Sequence, residues 1–198
     1  MLRLIRIGSL AMAAVLTAVL GYVYLSRPDV RQTLTTAMEI GGPFRLASAN
    51  GGLVDSRELA GKPYGVFFGF THCPEVCPTT LYEMSTMLAG LGPEAKDFRL
   101  FFITVDPERD TAPFLKDYLA NFDPRIEALV PTPDELQQVA KAYRAYYAKV
   151  KTSDGGYTMD HTATVYLMNG KGQLQSTIAF GEAAETRKAK LEKLLAEG

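Results

Sequence analysis

The chain has 198 residues, 47% hydrophobic and 22% charged, with a formal net charge of −1. That balance belongs to a folded protein and excludes a disordered one. It also excludes a basic, nucleic-acid-binding surface: positive charge gathers at Arg3, Arg6, Arg27 and Arg31, and the rest of the chain is mildly acidic.

The first element is the run IGSLAMAAVLTAVLGYVYL, residues 7–25, which carries no charge. Its length is close to the ~20 residues that cross a bilayer core. Arg3 and Arg6 precede it, Tyr22 and Tyr24 sit where an interfacial belt would lie, and Arg27-Pro28 closes it. Residues 1–25 therefore read as a single membrane anchor. A cleaved signal peptide is the competing reading, but the bulky end LGYVYLSR makes a poor cleavage site. A short arginine-bearing N-terminus stays in the cytoplasm, which puts the larger part of the chain in the periplasm or an equivalent outer compartment, where disulfides persist. Residues 26–42 read as a linker, and residues 43–198 as one domain of ordinary size.

Within that domain, residues 43–59 alternate around Asn50-Gly51-Gly52, a hairpin signal. YGVFFGF (64–70) reads as a buried strand. Pro78 suits the first position of a helix that places Leu81, Met84, Leu88 and Leu91 on one face before Gly92-Pro93. FRLFFITVD (98–106) is a second buried strand, and Asp110 or Thr111 can cap a helix running through Tyr118. TPDELQQVAKAYRAYY opens with a Thr132 cap and Glu135, with Leu136, Val139, Ala140, Tyr143 and Tyr147 on the buried face. TATVYLMNGKGQLQSTI gives two strands joined at Asn169-Gly170, and residues 182–196 a closing amphipathic helix. The sum is an α/β sandwich with a mixed sheet.

Cys73 and Cys77 are the only cysteines. They fall where the first central strand hands over to its helix, the edge at which sites form in open α/β sheets. A structural disulfide, a redox pair and a metal clamp all fit that spacing. Cys77, beside the helix N-terminus, is the expected thiolate. A disulfide would close a very short loop and contribute only ~2 kcal/mol. His161, just before a strand of the same sheet, is the leading third ligand. His72 is the rival, with its side chain directed away from Cys73 if the backbone is extended. Two thiolates and one imidazole suit copper, whereas structural zinc wants a fourth ligand. Met84 and Met87 are soft donors too, but on a packed helix they read as core. The tyrosines of AYRAYY read as core and groove lining. Asp106 is a candidate charge or hydrogen-bond partner for the thiols. The alternative is a local Arg109 ion pair with Asp110 as a helix cap. Asp160 either orients His161 or ends a turn.

Four motifs in order, GFTHCPEVCP (69–78), TVDPERDT (104–111), ELQQVAKAYRAYY (135–147) and DHTATVYL (160–167), together resemble the Sco/SenC family. These are membrane-anchored, thioredoxin-like copper chaperones that assist assembly of the dinuclear copper site of cytochrome c oxidase. The resemblance runs from about Pro43 to Ile178. It implies a thioredoxin-like sandwich and copper, as copper(I) or copper(II), on Cys73, Cys77 and His161. It implies the oxidase copper-site subunit as partner, with other periplasmic copper chaperones or thiol–disulfide reductases as further partners. It also implies a single-pass inner-membrane location and a metallochaperone rather than an enzyme. The rival reading is a thiol–disulfide oxidoreductase acting on the oxidase cysteines, or a redox sensor. VCPTT around Cys77 is also reminiscent of peroxiredoxins, but no independent peroxide-site signature accompanies it.

Overall fold

The computed structural model describes residue 12, residues 15–24 and residues 40–197. Residues 15–24 are helical. Among the described residues no helix is long and apolar enough to cross a membrane. The anchor expected over residues 1–25 and the linker over 26–42 lie largely outside the described residues. A separate compact unit begins at Ile40.

That unit opens with β1 (Arg45–Ser48) and β2 (Leu53–Asp55), paired antiparallel as the glycines predict. Gly51 and Gly52 take φ of 94° and 76°, a region that side chains avoid. β3 (Tyr64–Gly69) follows, with all six residues buried, then α1 (Val76–Leu91), β4 (Arg99–Thr104) and α2 (Ala112–Leu119). β5 (Ile126–Val130) and α3 (Pro133–Tyr143) come next. The hairpin β6 (Tyr147–Lys151) and β7 (Tyr157–His161) precedes β8 (Thr164–Met168), β9 (Leu174–Ala179) and α4 (Ala184–Glu197).

Seven strands form one mixed sheet in the order β2-β1-β5-β4-β3-β8-β9, and β6 and β7 form a separate two-stranded sheet. β3, β4 and β5 run parallel, while β1 and β8 pair antiparallel to β5 and β3. Alternation along β3 sends Phe67 and Phe68 to opposite faces. Phe67 meets Phe102, which in turn meets Tyr118 of α2. Phe68 meets Tyr143 of α3 and Tyr166 of β8. α2 and α3 thus cover opposite faces, and the fully buried phenylalanines of β3 and β4 form the core between them.

Several local expectations are corrected. β5 and the β6–β7 hairpin are additional elements. α1 begins at Val76, so Cys77 and Pro78 lie inside its first turn. α3 starts on the expected Thr132–Glu135 capping box but stops at Tyr143, because Arg144 turns left-handed with φ of 51°. Tyr147, expected on the buried face of that helix, instead starts β6, and Tyr146 is exposed. Thr111 precedes α2 without a side-chain cap bond. Asp110 does not cap it either: its carboxyl group is fully buried and accepts from Thr71 and Thr104.

Candidate metal centre

The sulfurs are positioned by β3 and α1. β3 ends at Gly69, and the chain reverses through residues 70–75 before α1 carries Cys77 back under the sheet edge. A Cβ on Gly69 would come within 2.9 Å of Cys77 Sγ and 2.6 Å of the Phe102 ring. Glycine is therefore what admits the sulfur at this point. The loop is pinned from below. Asp110 accepts from Thr71 N–H at 3.1 Å and from Thr71 and Thr104 hydroxyls at 2.5 and 2.6 Å.

The imidazole arrives by a different route. β8 is antiparallel to β3, with Val165 opposite Phe67, so the start of β8 lies beside the end of β3. His161, three residues before β8, is thereby delivered to the thiol edge. Its ring sits edge-on to Phe67 and Phe70, with centroids 6.3 and 5.6 Å away. His161 Nδ1 lies 3.2 Å from the Thr162 carbonyl oxygen. A carbonyl only accepts, so Nδ1 carries the proton and Nε2 presents its lone pair. Nε2 lies 3.5 Å from Cys77 Sγ.

Cys73, Cys77 and His161 form one group whose ligand atoms all lie within 4.8 Å of one another, and among the described residues no fourth His, Cys, Asp or Glu joins them. Both cysteines are free, Cys77 fully buried and Cys73 partly so. His72 is outside the group: it stacks on Phe114 and touches Thr71 Oγ1 at 3.0 Å. Met84 is core and Met87 packs against it, as expected. Asp160 is exposed, and the acceptor that orients His161 is the Thr162 carbonyl. Asp106 faces Arg109 and Tyr157 rather than a sulfur.

The expected thiolate is also corrected. The Cys77 amide at the start of α1 donates to Cys73 Sγ at 3.4 Å, so the helix N-terminus serves the first cysteine. A hydrogen bond from the Cys77 side chain holds Cys73 far below the usual thiol range, at about 3. The same bond, with burial, pushes Cys77 well up. The pair thus holds one proton, on Cys77. A thiol of ordinary pKa carries under ~1% thiolate at pH 6. Iodoacetamide at pH 6 should therefore label Cys73 well before Cys77 in the unfractionated protein. Peptide mapping checks this, and preferential labelling of Cys77 would contradict it.

The donor set fits a soft ion. Two sulfurs and one imidazole nitrogen suit copper, whereas structural zinc takes four protein ligands and the group among the described residues has three. The SCO1/SenC family profile matches residues 32–196. The chain belongs to the SCO1/SenC family. It is similar to the structure of Bradyrhizobium japonicum ScoI with copper bound, at 47% identity and a TM-score of 0.72, over 78% of this chain and 99% of that one. It is similar to yeast Sco1 with copper bound, at 31% identity and a TM-score of 0.72, over 81% and 90% of the two chains. The SCO1 homolog 1, mitochondrial, of Arabidopsis thaliana is 39% identical over 131 residues, which are 66% of this chain and 39% of that protein. The chain therefore spans about two fifths of that relative's length. These SCO1/SenC structures share the thioredoxin-like sandwich with mixed sheet described above.

Proposed function

We propose that the chain binds copper through Cys73, Cys77 and His161 and carries it as a chaperone to the dinuclear copper site of cytochrome c oxidase. The observation that carries this reading is the convergence of two sulfurs and one Nδ1-protonated imidazole, with no fourth His, Cys, Asp or Glu among the described residues. The proton on Cys77 is the one a metal ion would displace, so loading releases it and is favoured as pH rises. Copper bound in the two SCO1/SenC structures supports the choice of ion. The copper-site subunit of the oxidase is the proposed recipient.

The uncharged run and arginines of residues 1–31 support an inner-membrane anchor with the copper domain in the periplasm or its equivalent. A C-terminal reporter active only outside the cytoplasm should work, and activity from a cytoplasmic reporter alone would overturn that topology.

Anaerobic copper titration of the reduced full-length chain tests the binding itself. One copper per chain should bind, with a thiolate-to-copper absorption in the oxidised state. No uptake by the reduced chain would overturn the reading.

A second reading rests on a specific observation, the thiolate-like Cys73 beside a buried Cys77 thiol. Such a pair can attack a disulfide and then resolve the mixed intermediate. The chain would then reduce the oxidase cysteines before copper arrives.

A further inference from the structure

The two parts of the metal centre have different supports. The sulfurs rest on β3 and α1, within the main fold. His161 ends a hairpin that shares no ladder with the main sheet, and the last three residues of β6 are exposed. Met159 of β7 is buried in the core and Tyr147 and Tyr157 pack partly against it, so burial seats the hairpin only in part.

The loop after β4 adds a polar grip. The Tyr157 hydroxyl, at the start of β7, donates to Asp106 Oδ1 at 3.0 Å. Arg109 pairs with the same carboxyl group through Nε. Its Nη1 donates to the Tyr157 carbonyl at 3.0 Å, and its guanidinium carbon lies 3.8 Å from the Tyr157 ring centroid. From the other strand, the Lys149 ammonium sits 4.1 Å from that ring and pairs with Glu108 at 2.7 Å. Tyr157 and His161 are the first and last residues of β7, so a grip at one governs the other about 13 Å along the strand. Phe70 adds a shorter link: its ring centroid is 5.9 Å from the Arg109 guanidinium carbon and 5.6 Å from that of the His161 ring.

We propose that Arg109 and Tyr157 are positioning residues for the metal centre, clamping the β6–β7 hairpin so that the His161 imidazole meets the two sulfurs. The copper consequence rests on the function proposed above; the placement of His161 does not. Copper(I) is satisfied by the sulfurs, whereas copper(II) needs the added nitrogen. Releasing the clamp should then weaken copper(II) binding selectively. A merely structural role would lower thermal stability and leave the imidazole where it is.

The test uses the full-length chain with Arg109→Met, Tyr157→Leu and Tyr157→Phe. Because His161 lies edge-on to Phe67 and Phe70, ring currents shift its carbon-bound protons, and NMR of the metal-free protein reads its position directly. In Arg109→Met and Tyr157→Leu these signals should move toward free-imidazole values. Copper(II) affinity should fall at least ~10-fold while copper(I) affinity changes less than ~3-fold. Tyr157→Phe keeps the ring between its cations and loses only the Asp106 bond, so its shift should be smaller. Unchanged His161 signals in both Arg109→Met and Tyr157→Leu would overturn the clamp, whatever copper does. Shifted signals in a chain that takes up no copper would sustain the clamp and overturn the copper reading instead.

Discussion

Cys73→Ser and Cys77→Ser should each lower copper(I) affinity by at least ~1000-fold, about 4 kcal/mol of binding free energy. Copper(I) is soft and low-coordinate, so its affinity comes from thiolate sulfur, and a hydroxyl is no substitute. The two variants should fail for different reasons. Cys73→Ser removes the sulfur that already carries the charge. Cys77→Ser removes the buried sulfur that also donates to it. The fold should survive both, because the thiols are unlinked and contribute no staple. Competition against a copper(I) chelator, with thermal unfolding as control, checks this. Retained affinity in either variant would remove that cysteine from the site.

Asp110→Ala should cost about 3 kcal/mol, a fall of ~6–12 °C in midpoint for a domain of this size. The buried Thr104 hydroxyl and the Thr71 amide would lose their acceptor, and each buried donor left without one costs roughly 1–3 kcal/mol. The same change frees the loop that holds Cys73, so copper binding should fall with stability. Calorimetry of the metal-free chain is the check. A midpoint within ~2 °C of the parent would show that this carboxyl group does not pin the loop.

The parts of the fold that were legible beforehand are those driven by burial or by turn chemistry. β3 and β4 are dense aromatic runs, the Asn50-Gly51-Gly52 and Asn169-Gly170 turns demand hairpins, and Thr132–Glu135 starts α3 as a capping box should. β5 was hidden because Glu127 interrupts its apolar pattern. That carboxylate is held by Arg99 of the neighbouring strand and by Ser48 at 2.5 Å, partners a one-dimensional pattern cannot supply. The β6–β7 hairpin is hidden because only Met159 of it is buried, and much of its grip comes from hydrogen bonds and cation–π contacts.

The three candidate ligands could be named from residue type, spacing and position before a strand, and the motifs supplied the rest of the argument. Their supports could not. From the sequence, Asp106 reads as a partner for the thiols and Arg109 as half of a local ion pair. They are an ion pair that also grips the hairpin bearing His161. Asp110 looked like a helix cap and is a buried tie under the Cys73 loop. Which thiol holds the proton depends on the bond between the two side chains and on the deeper burial of Cys77, and the order of residues does not reveal either.

The central claim is that the thiol pair supplies most of the copper(I) affinity and that His161 completes the site for copper(II). The most direct measurement is copper binding to His161→Ala in both oxidation states, read by chelator competition for copper(I) and by absorption and EPR for copper(II). Copper(II) binding should weaken strongly, the thiolate-to-copper band should shift, and copper(I) affinity should stay within ~10-fold of the parent. A copper(II) spectrum and affinity identical to the parent's, with disulfide reduction intact, would contradict the account and favour thiol exchange as the chemistry of this site.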